Sequence, residues 1–250
     1  RNVGHQRAIA IGLNYVADNI PETRRVVVMD SDGEDLPSTI SDLLENLDPG
    51  NTDVVVAERK SRVETLRFRI FYQFYRWLFR LLVGRNIGFG NFMAIGPDAL
   101  QRLRAMPELW IHVASCILIS KLRIEICPLD RGPRYAGKSK MNFVGLALHG
   151  FKGLMVFAED VLVRVGIACS MVAALSILAA ATAIVLKVIG FATPGWFSVA
   201  LGILFMVFLQ TGTLTLMTLM LTGVVRNANV APPNYLDFIQ TIHPTTKTSI

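Results

Sequence analysis

Cysteine is scarce in this chain. Its three thiols, Cys116, Cys127 and Cys169, are too scattered for the paired spacings of a zinc site or a disulfide framework. A reduced, cytoplasm-facing compartment is compatible with that scarcity. Internal repeats and low-complexity tracts are absent as well. No secretory signal opens the sequence, which starts on a polar Arg-Asn-Val-Gly-His-Gln stretch. Acidic residues are fewer than basic ones, 19 against 25, for a net charge of +6. That balance does not point to nucleic acid, because the basic residues alternate with apolar and aromatic ones beside membrane-length runs. Anionic headgroups or phosphorylated substrates suit such a pattern better.

Apolar residues are abundant, at 52% with a mean hydropathy of +0.44, and they crowd towards the C-terminus. Val165 to Leu186 carries no charge, and neither does Trp196 to Val225. Both runs exceed the ~18 residues that suggest a membrane span. Gly190-Phe191-Ala192-Thr193-Pro194-Gly195 between them is a breaker that predicts a hairpin. A buried helical hairpin in a soluble core is the other reading, but a domain this small has too little protein to cover both helices. Arg134, Lys138, Lys140, Lys152 and Arg164 precede the first run and Arg226 follows the second, while the turn has no basic residue. Lys187 can snorkel. The positive-inside rule then places both chain ends and the polar portion in the cytoplasm, on the inner membrane. Leu66 to Leu82 and Phe143 to Val163 mix basic residues with aromatic or aliphatic ones at helical spacing, so each is an interfacial helix or a core helix with solvated charges.

The polar portion alternates helix and strand. Val3 to Asn19 places Ala8, Ile9, Gly12, Leu13 and Val16 on one helical face, and Ser38 to Leu47 is the next helix. Val26 to Met29, Asp53 to Ala57, Phe92 to Ile95 and Ile124 to Ile126 are short β-branched or apolar runs, read as buried strands. The fold class is therefore α/β. The first strand ends abruptly in Asp30-Ser31-Asp32-Gly33-Glu34-Asp35, and carboxylates at the carboxyl edge of a sheet stand where such folds place ligand chemistry. Asp30 and Asp32, two residues apart, can turn towards one hard cation. Mg²⁺ or Mn²⁺ takes a few carboxylates together with substrate phosphates. An acidic turn capping the helix near Ser38 is the plainer alternative.

The segment VVVMDSDGEDLP resembles the Asp-x-Asp-x-x-Asp-x-Pro stretch of family 2 glycosyltransferases with the GT-A fold, in particular dolichyl-phosphate mannose synthases and bacterial polyprenyl-phosphate glycosyltransferases. RNVGHQRAIAIGL resembles the Arg-Asn-x-Gly…Ala…Gly-Leu segment preceding it. Arg134 to Lys140 resembles the family's Arg-x-x-Gly-x-Ser-Lys motif, followed there too by a juxtamembrane helix and spans. The resemblance implies a partial GT-A (Rossmann-like) domain over 1–140 and a juxtamembrane helix over 141–164, while the apolar runs are read as transmembrane helices over 165–189 and 196–225 and the polar tail over 226–250 as loosely ordered. It implies inverting transfer of a sugar from a UDP- or GDP-sugar to a polyprenyl phosphate at the cytoplasmic leaflet. In that scheme Asp30 and Asp32 hold the metal and Asp32 serves catalysis. Glu34 and Asp35 line the same loop. Arg59, Arg134, Ser139 and Lys140 hold phosphate oxygens. A phosphate acceptor is already ionised at neutral pH, so the scheme needs no general base.

Two departures from the pattern stand out. The family usually has an Asp where this chain has Asn91, expected with Asp32 in the catalytic set, and the amide keeps an acceptor but carries no charge. The family's opening nucleoside-binding segment is not in this sequence, which predicts an N-terminally incomplete domain. The partners expected are donor, acceptor lipid and bilayer, with a homo-oligomer left open. A non-catalytic membrane adaptor retaining part of the fold is the alternative, and a protein binding anionic lipid alone is a third.

Overall fold

The computed structural model describes residues 2–48, 50–59, 66–86, 88–135, 143–191, 195–227, 233–239 and 241. The chain divides into two compact units. The first comprises 1–79, 85–156 and 230–250, and the second 80–84 with 157–229.

The first unit is built on a four-stranded mixed sheet. Its strands β1 (Val26–Val28), β2 (Val54–Arg59), β3 (Met93–Ile95) and β4 (Ile124–Leu129) lie in the order β1-β3-β2-β4. β3 runs antiparallel to both neighbours, with Met93 opposite Val28 on one side and Val56 on the other. β2 and β4 are parallel from Val54↔Ile124 to Arg59↔Leu129. The carboxyl ends of β1, β2 and β4 and the start of β3 therefore share one edge. That common edge collects the chemistry.

Val54, Val55 and Val56 are all solvent-inaccessible, as a strand covered on both faces must be. Their side chains alternate between two cores. Val54 and Val56 join Met93, Ile95, Ala10, Leu13, Leu103 and Ile117 on one face. Val55 joins Leu43, Leu47, Ala94 and Leu129 on the other. Helix α1 (His5–Asn19) packs on the first face through Ala10, Leu13 and Ala17, at the spacing of one helical stripe, and ends just before Pro21. Helix α2 (Ile40–Glu45), entered by a 3₁₀ turn over Pro37–Thr39, covers the second face with Leu43. The expected helix over Ser38–Leu47 is thus tighter at its start.

Helix α3 (Leu66–Val83) follows β2. After β3 come α4 (Pro97–Arg104) and α5 (Val113–Ile119), neither of which stands out in the sequence. α4 has Pro at its first turn, Asp98 beside it, and Arg102 and Arg104 in its last turn, an order that suits the helix dipole. The stretch Phe143–Val163, expected as one helix, is divided. α6 ends at Met155, and Val156 and Phe157 turn before the next helix. Within the tail the described residues include one ordered turn. Tyr235–Phe238 forms a 3₁₀ turn in which Tyr235 is buried, bonded by Asn19 Nδ2 at 3.3 Å, while Phe238 lies 6.0 Å from Trp110. An aromatic residue, not tail polarity, decides that placement.

The second unit holds two long apolar helices, α7 (Ala158–Val188) and α8 (Trp196–Asn227). They meet along small residues. A Cβ on Gly166 would come within 3.0 Å of Thr218 Oγ1, and Ser176 and Ala183 are buried in α7. Most of their remaining surface is exposed apolar side chain, and both are long and apolar enough to cross a membrane.

Candidate active site

The acidic loop leaves β1 at the shared edge and is folded by its own carboxylates. Asp35 is almost fully buried, and its Oδ2 accepts from the Asp30 N–H at 2.9 Å, turning the loop back across the strand end. Asp32 Oδ1 accepts from the Glu34 N–H at 3.1 Å, an Asx-type turn. Gly33 inside that turn has φ +90, which a side chain resists. Its missing Cβ is used as well, since the Tyr135 ring sits where one would be, 2.7 Å away.

A strap leaving β4 lies along this loop. Gly132 N–H donates to Glu34 O at 3.0 Å and Tyr135 N–H to Asp32 O at 2.9 Å, so the strap is held by backbone alone at two points. It delivers two guanidiniums. Arg134 Nη2 lies 2.9 Å from Asp32 Oδ2 and 3.0 Å from Glu34 Oε1, with its Nε donating to the same Glu34 oxygen. Arg131 pairs with Glu34 and, at 3.2 Å, with Asp35. Burial raises the Asp35 carboxyl above its usual range, opposed by the Asp30 N–H and then Arg131. Carboxylates and guanidiniums thus interleave, a surface that offers acceptors to a cation and forked donors to phosphate.

The other rim comes from α1 and the start of β3. Gln6 Oε1 accepts from the Val113 N–H at 2.6 Å, so its amide nitrogen must point the other way, to Asn91 Oδ1 at 3.2 Å. Asn91 Nδ2 then faces His5 Nε2 at 2.9 Å. One backbone N–H therefore fixes the whole chain, and His5 Nε2 accepts, leaving the proton on Nδ1. The 3.5 Å approach of His5 Nε2 to Asp30 Oδ1 is accordingly not a hydrogen bond.

Of the residues singled out from sequence, Asp30, Asp32, Glu34, Asp35 and Arg134 come together in the loop and strap, and Asn91 on the rim. Arg59 ends β2 at the same edge, opposite Leu129, two residues before Arg131. Its side chain, and Ser139 and Lys140 entirely, lie outside the described residues. Sequence reasoning passed over Arg131, His5, Gln6 and Tyr135. Arg131 stands three residues before Arg134 and so carried a signal; the other three are ordinary helix and loop residues until the fold aligns them. Among the described residues no group of three or more His, Cys, Asp or Glu side chains is arranged so that it could hold a metal ion. The donors at hand are hard carboxylate oxygens, the type a magnesium-like ion takes, but both oxygens of Asp32, Glu34 and Asp35 already accept from N–H groups or guanidiniums, and a cation there would take the place of some of those partners.

Near this rim α6 (Phe143–Met155) packs on α3 and α5. Gly150 leaves room for the Tyr75 ring, and Tyr75 donates to Gly150 O at 3.2 Å. His112, the N-cap of α5, accepts the Ser115 N–H on Nδ1, so its Nε2 carries hydrogen and faces His149 Nε2 at 3.2 Å. Burial pushes His112 down to about 3, helped by His149 and Lys152. Burial also lowers His149, helped by His5 and Lys152.

With this geometry in view, comparison with known proteins is informative. Residues 1–110 match glycosyl transferase family 2. The match covers α1, the acidic loop and the Asn91 rim. Over a longer stretch the chain is similar to the uncharacterized glycosyltransferase sll0501 of Synechocystis sp., with 27% identity over 82% of this chain and 64% of that protein. It is also similar to the uncharacterized glycosyltransferase YkoT of Bacillus subtilis, with 26% identity over 84% of this chain and 61% of that protein. The chain thus spans less than two thirds of the length of these relatives.

Proposed function

We propose that this chain acts in a membrane-bound glycosyltransferase that moves a sugar from a UDP- or GDP-sugar to a polyprenyl phosphate, inverting the anomeric carbon. The observation that carries the reading is the interleaved loop and strap, where Asp32, Glu34 and Asp35 pair with Arg131 and Arg134 at the sheet's carboxyl edge, with Asp30 at the start of the same loop. It lies in and just after the stretch matching the glycosyltransferase family, and two span-length helices follow.

The chemistry follows from those groups. An oxygen of the lipid phosphate attacks the anomeric carbon as the bond to the nucleoside diphosphate breaks, and the bonding pair leaves on the diphosphate. The attacking oxygen is already ionised, so no residue need take a proton. Charge accumulates on the leaving group, and preorganised donors there lower the barrier most. Arg131 and Arg134 supply such donors, with Arg59 on the same edge, and Ser139 and Lys140 follow in the chain. Asp30 and Asp32 would hold Mg²⁺ or Mn²⁺, which when bound would neutralise diphosphate charge as a Lewis acid. Asn91, fixed by Gln6, is placed to accept from or donate to a substrate hydroxyl.

The helices supply the lipid side. In this reading α7 and α8 span the bilayer with the basic flanks on the cytoplasmic side, which the positive-inside rule supports. Phe74 and Trp77 of α3 and Leu148, Phe151 and Met155 of α6 are exposed on the first unit, an apolar surface suited to the headgroup region, where the acceptor phosphate resides.

The test is transfer of labelled sugar from UDP- and GDP-sugars into a lipid-phosphate fraction, using the natural protein in its membranes with Mn²⁺. Asp32→Asn should lower the rate about a hundredfold or more, and chelation should abolish it. Unchanged turnover in Asp32→Asn would refute the catalytic reading and favour the adaptor.

A further inference from the structure

In the second half of the span-length part of α8 the polar side chains are of two kinds. Thr211, Thr213, Thr215, Thr218 and Thr222 each return their hydroxyl to a carbonyl three or four residues earlier, at 2.7–2.9 Å. Their hydrogen-bonding demand is met within the helix. Gln210 differs. Its side chain is exposed and its amide bonds no described residue.

Depth makes this costly. The span-length part of α8 runs Trp196–Thr222, with Leu209 at its midpoint. Gln210 therefore sits mid-bilayer, about 20 Å from either end at ~1.5 Å per residue, beyond snorkelling reach. An amide with two donors and an acceptor finds no partner in hydrocarbon. The surface around it is otherwise apolar, with Ile203, Met206, Leu214, Met217 and Leu221 all exposed along the same stripe. Thr218, which faces Gly166 of α7, is on another side of the helix. Lipid can cover the stripe but not the amide.

The chemistry of the amide selects the occupant. All copies of a membrane protein insert in one orientation, so a symmetric pair has its axis along the membrane normal and brings residues of equal depth together. Gln210 then meets Gln210. A carboxamide is self-complementary, because Nε2 of each copy can donate to Oε1 of the other and satisfy both sides, whereas a group that only donates or only accepts leaves half of it unmet. We propose that α8 pairs with α8 of a second copy of this chain through reciprocal Gln210 amide bonds, with Met206 and Met217 packed on either side. The proposal rests on α7 and α8 spanning the membrane and is independent of sugar transfer.

Disulfide cross-linking in native membranes tests it, in a Cys169→Ala background that clears the spans of thiols. Met206→Cys and Met217→Cys should each give a cross-linked dimer on oxidation, and Leu216→Cys, exposed on a different face, should not. Adding Gln210→Leu should weaken dimerisation about tenfold, and Gln210→Asn should largely retain it. Leucine favours insertion, so loss of the dimer cannot be blamed on a failed span. Equal cross-linking with Gln210→Leu overturns the proposal. So does equal cross-linking through Leu216→Cys, or a cross-link to a different protein in place of the dimer. Release of the wild-type chain by alkaline carbonate would instead overturn its membrane premise, whatever the transfer assay gives.

Discussion

At the scale of single residues, Asn91 is where pattern and geometry meet most informatively. From sequence it is an exception, an amide where the family usually has a carboxylate. In the structure its orientation follows from the Val113 N–H through Gln6, and it in turn sets the His5 tautomer. Asn91→Asp should reverse that last bond, because a carboxylate can only accept. His5 Nε2 then becomes a donor, visible as exchanged imidazole ¹⁵N shifts, and an unaltered tautomer would contradict the hydrogen-bond chain. Gly33 offers a second residue-scale check. With φ +90 and the Tyr135 ring in the space a Cβ needs, Gly33→Ala should destabilise the first unit by about 1–3 kcal/mol in chemical denaturation. A variant as stable as the parent would show that ring contact to be dispensable. The carboxylates of the loop were legible because they interrupt an apolar strand, and Arg134 because of its motif. Arg131's role was not, since its partners Glu34 and Asp35 lie almost a hundred residues away in sequence and only β4's register brings them together.

At the scale of elements, the strands were readable because each is a short β-branched or apolar run, and Val54 to Val56 could hardly be anything but central. α4 and α5 escaped notice because one is short and polar in part, and the other, Val113–Ile119, is apolar almost throughout and shows no periodicity. The division after Met155 is a tertiary matter, for no Pro or Gly stands at Val156 or Phe157 to announce it. α6 itself has a titratable attachment. His112 and His149 are neutral when docked, with His112 held down to about 3 and His149 also lowered, burial being the main cause for both. In the unfolded chain a histidine takes up its proton near pH ~6.5. Above that pH the rings are neutral in both states and their contribution is fully present. Below it the unfolded state gains protons that the docked state refuses, so stability falls by up to about 1.4 kcal/mol per pH unit per ring. Lys152 and His5 add to that penalty, and no carboxylate is among the groups that shift either ring. Hydrogen exchange across Phe143–Met155, corrected for intrinsic rate, should lose protection from pH 6.5 to pH 5. The pair His112→Asn with His149→Gln, which keeps a cap and an acceptor without titrating, should flatten that dependence. Equal pH dependence in both chains would place the sensitivity elsewhere.

At the scale of the whole molecule, the division into a mixed α/β unit and an apolar hairpin was plain from hydropathy, because lipid-length runs and alternating short elements obey different rules. The ordered contact of Tyr235 and Phe238 with α1 and Trp110 was not, since two aromatic side chains within a polar tail give no periodic signal. The membrane reading predicts that the natural protein stays in the pellet after alkaline carbonate and leaves it with detergent. In the proposed function, the interleaved loop and strap would hold a nucleotide-sugar diphosphate for attack by a lipid phosphate. The most direct measurement is the rate of labelled sugar transfer to lipid phosphate in membranes carrying wild-type protein, Asp32→Asn or Arg134→Ala at equal abundance. Metal-dependent transfer that falls about a hundredfold in Asp32→Asn and at least about tenfold in Arg134→Ala is the result predicted. Transfer that persists undiminished in both would contradict it.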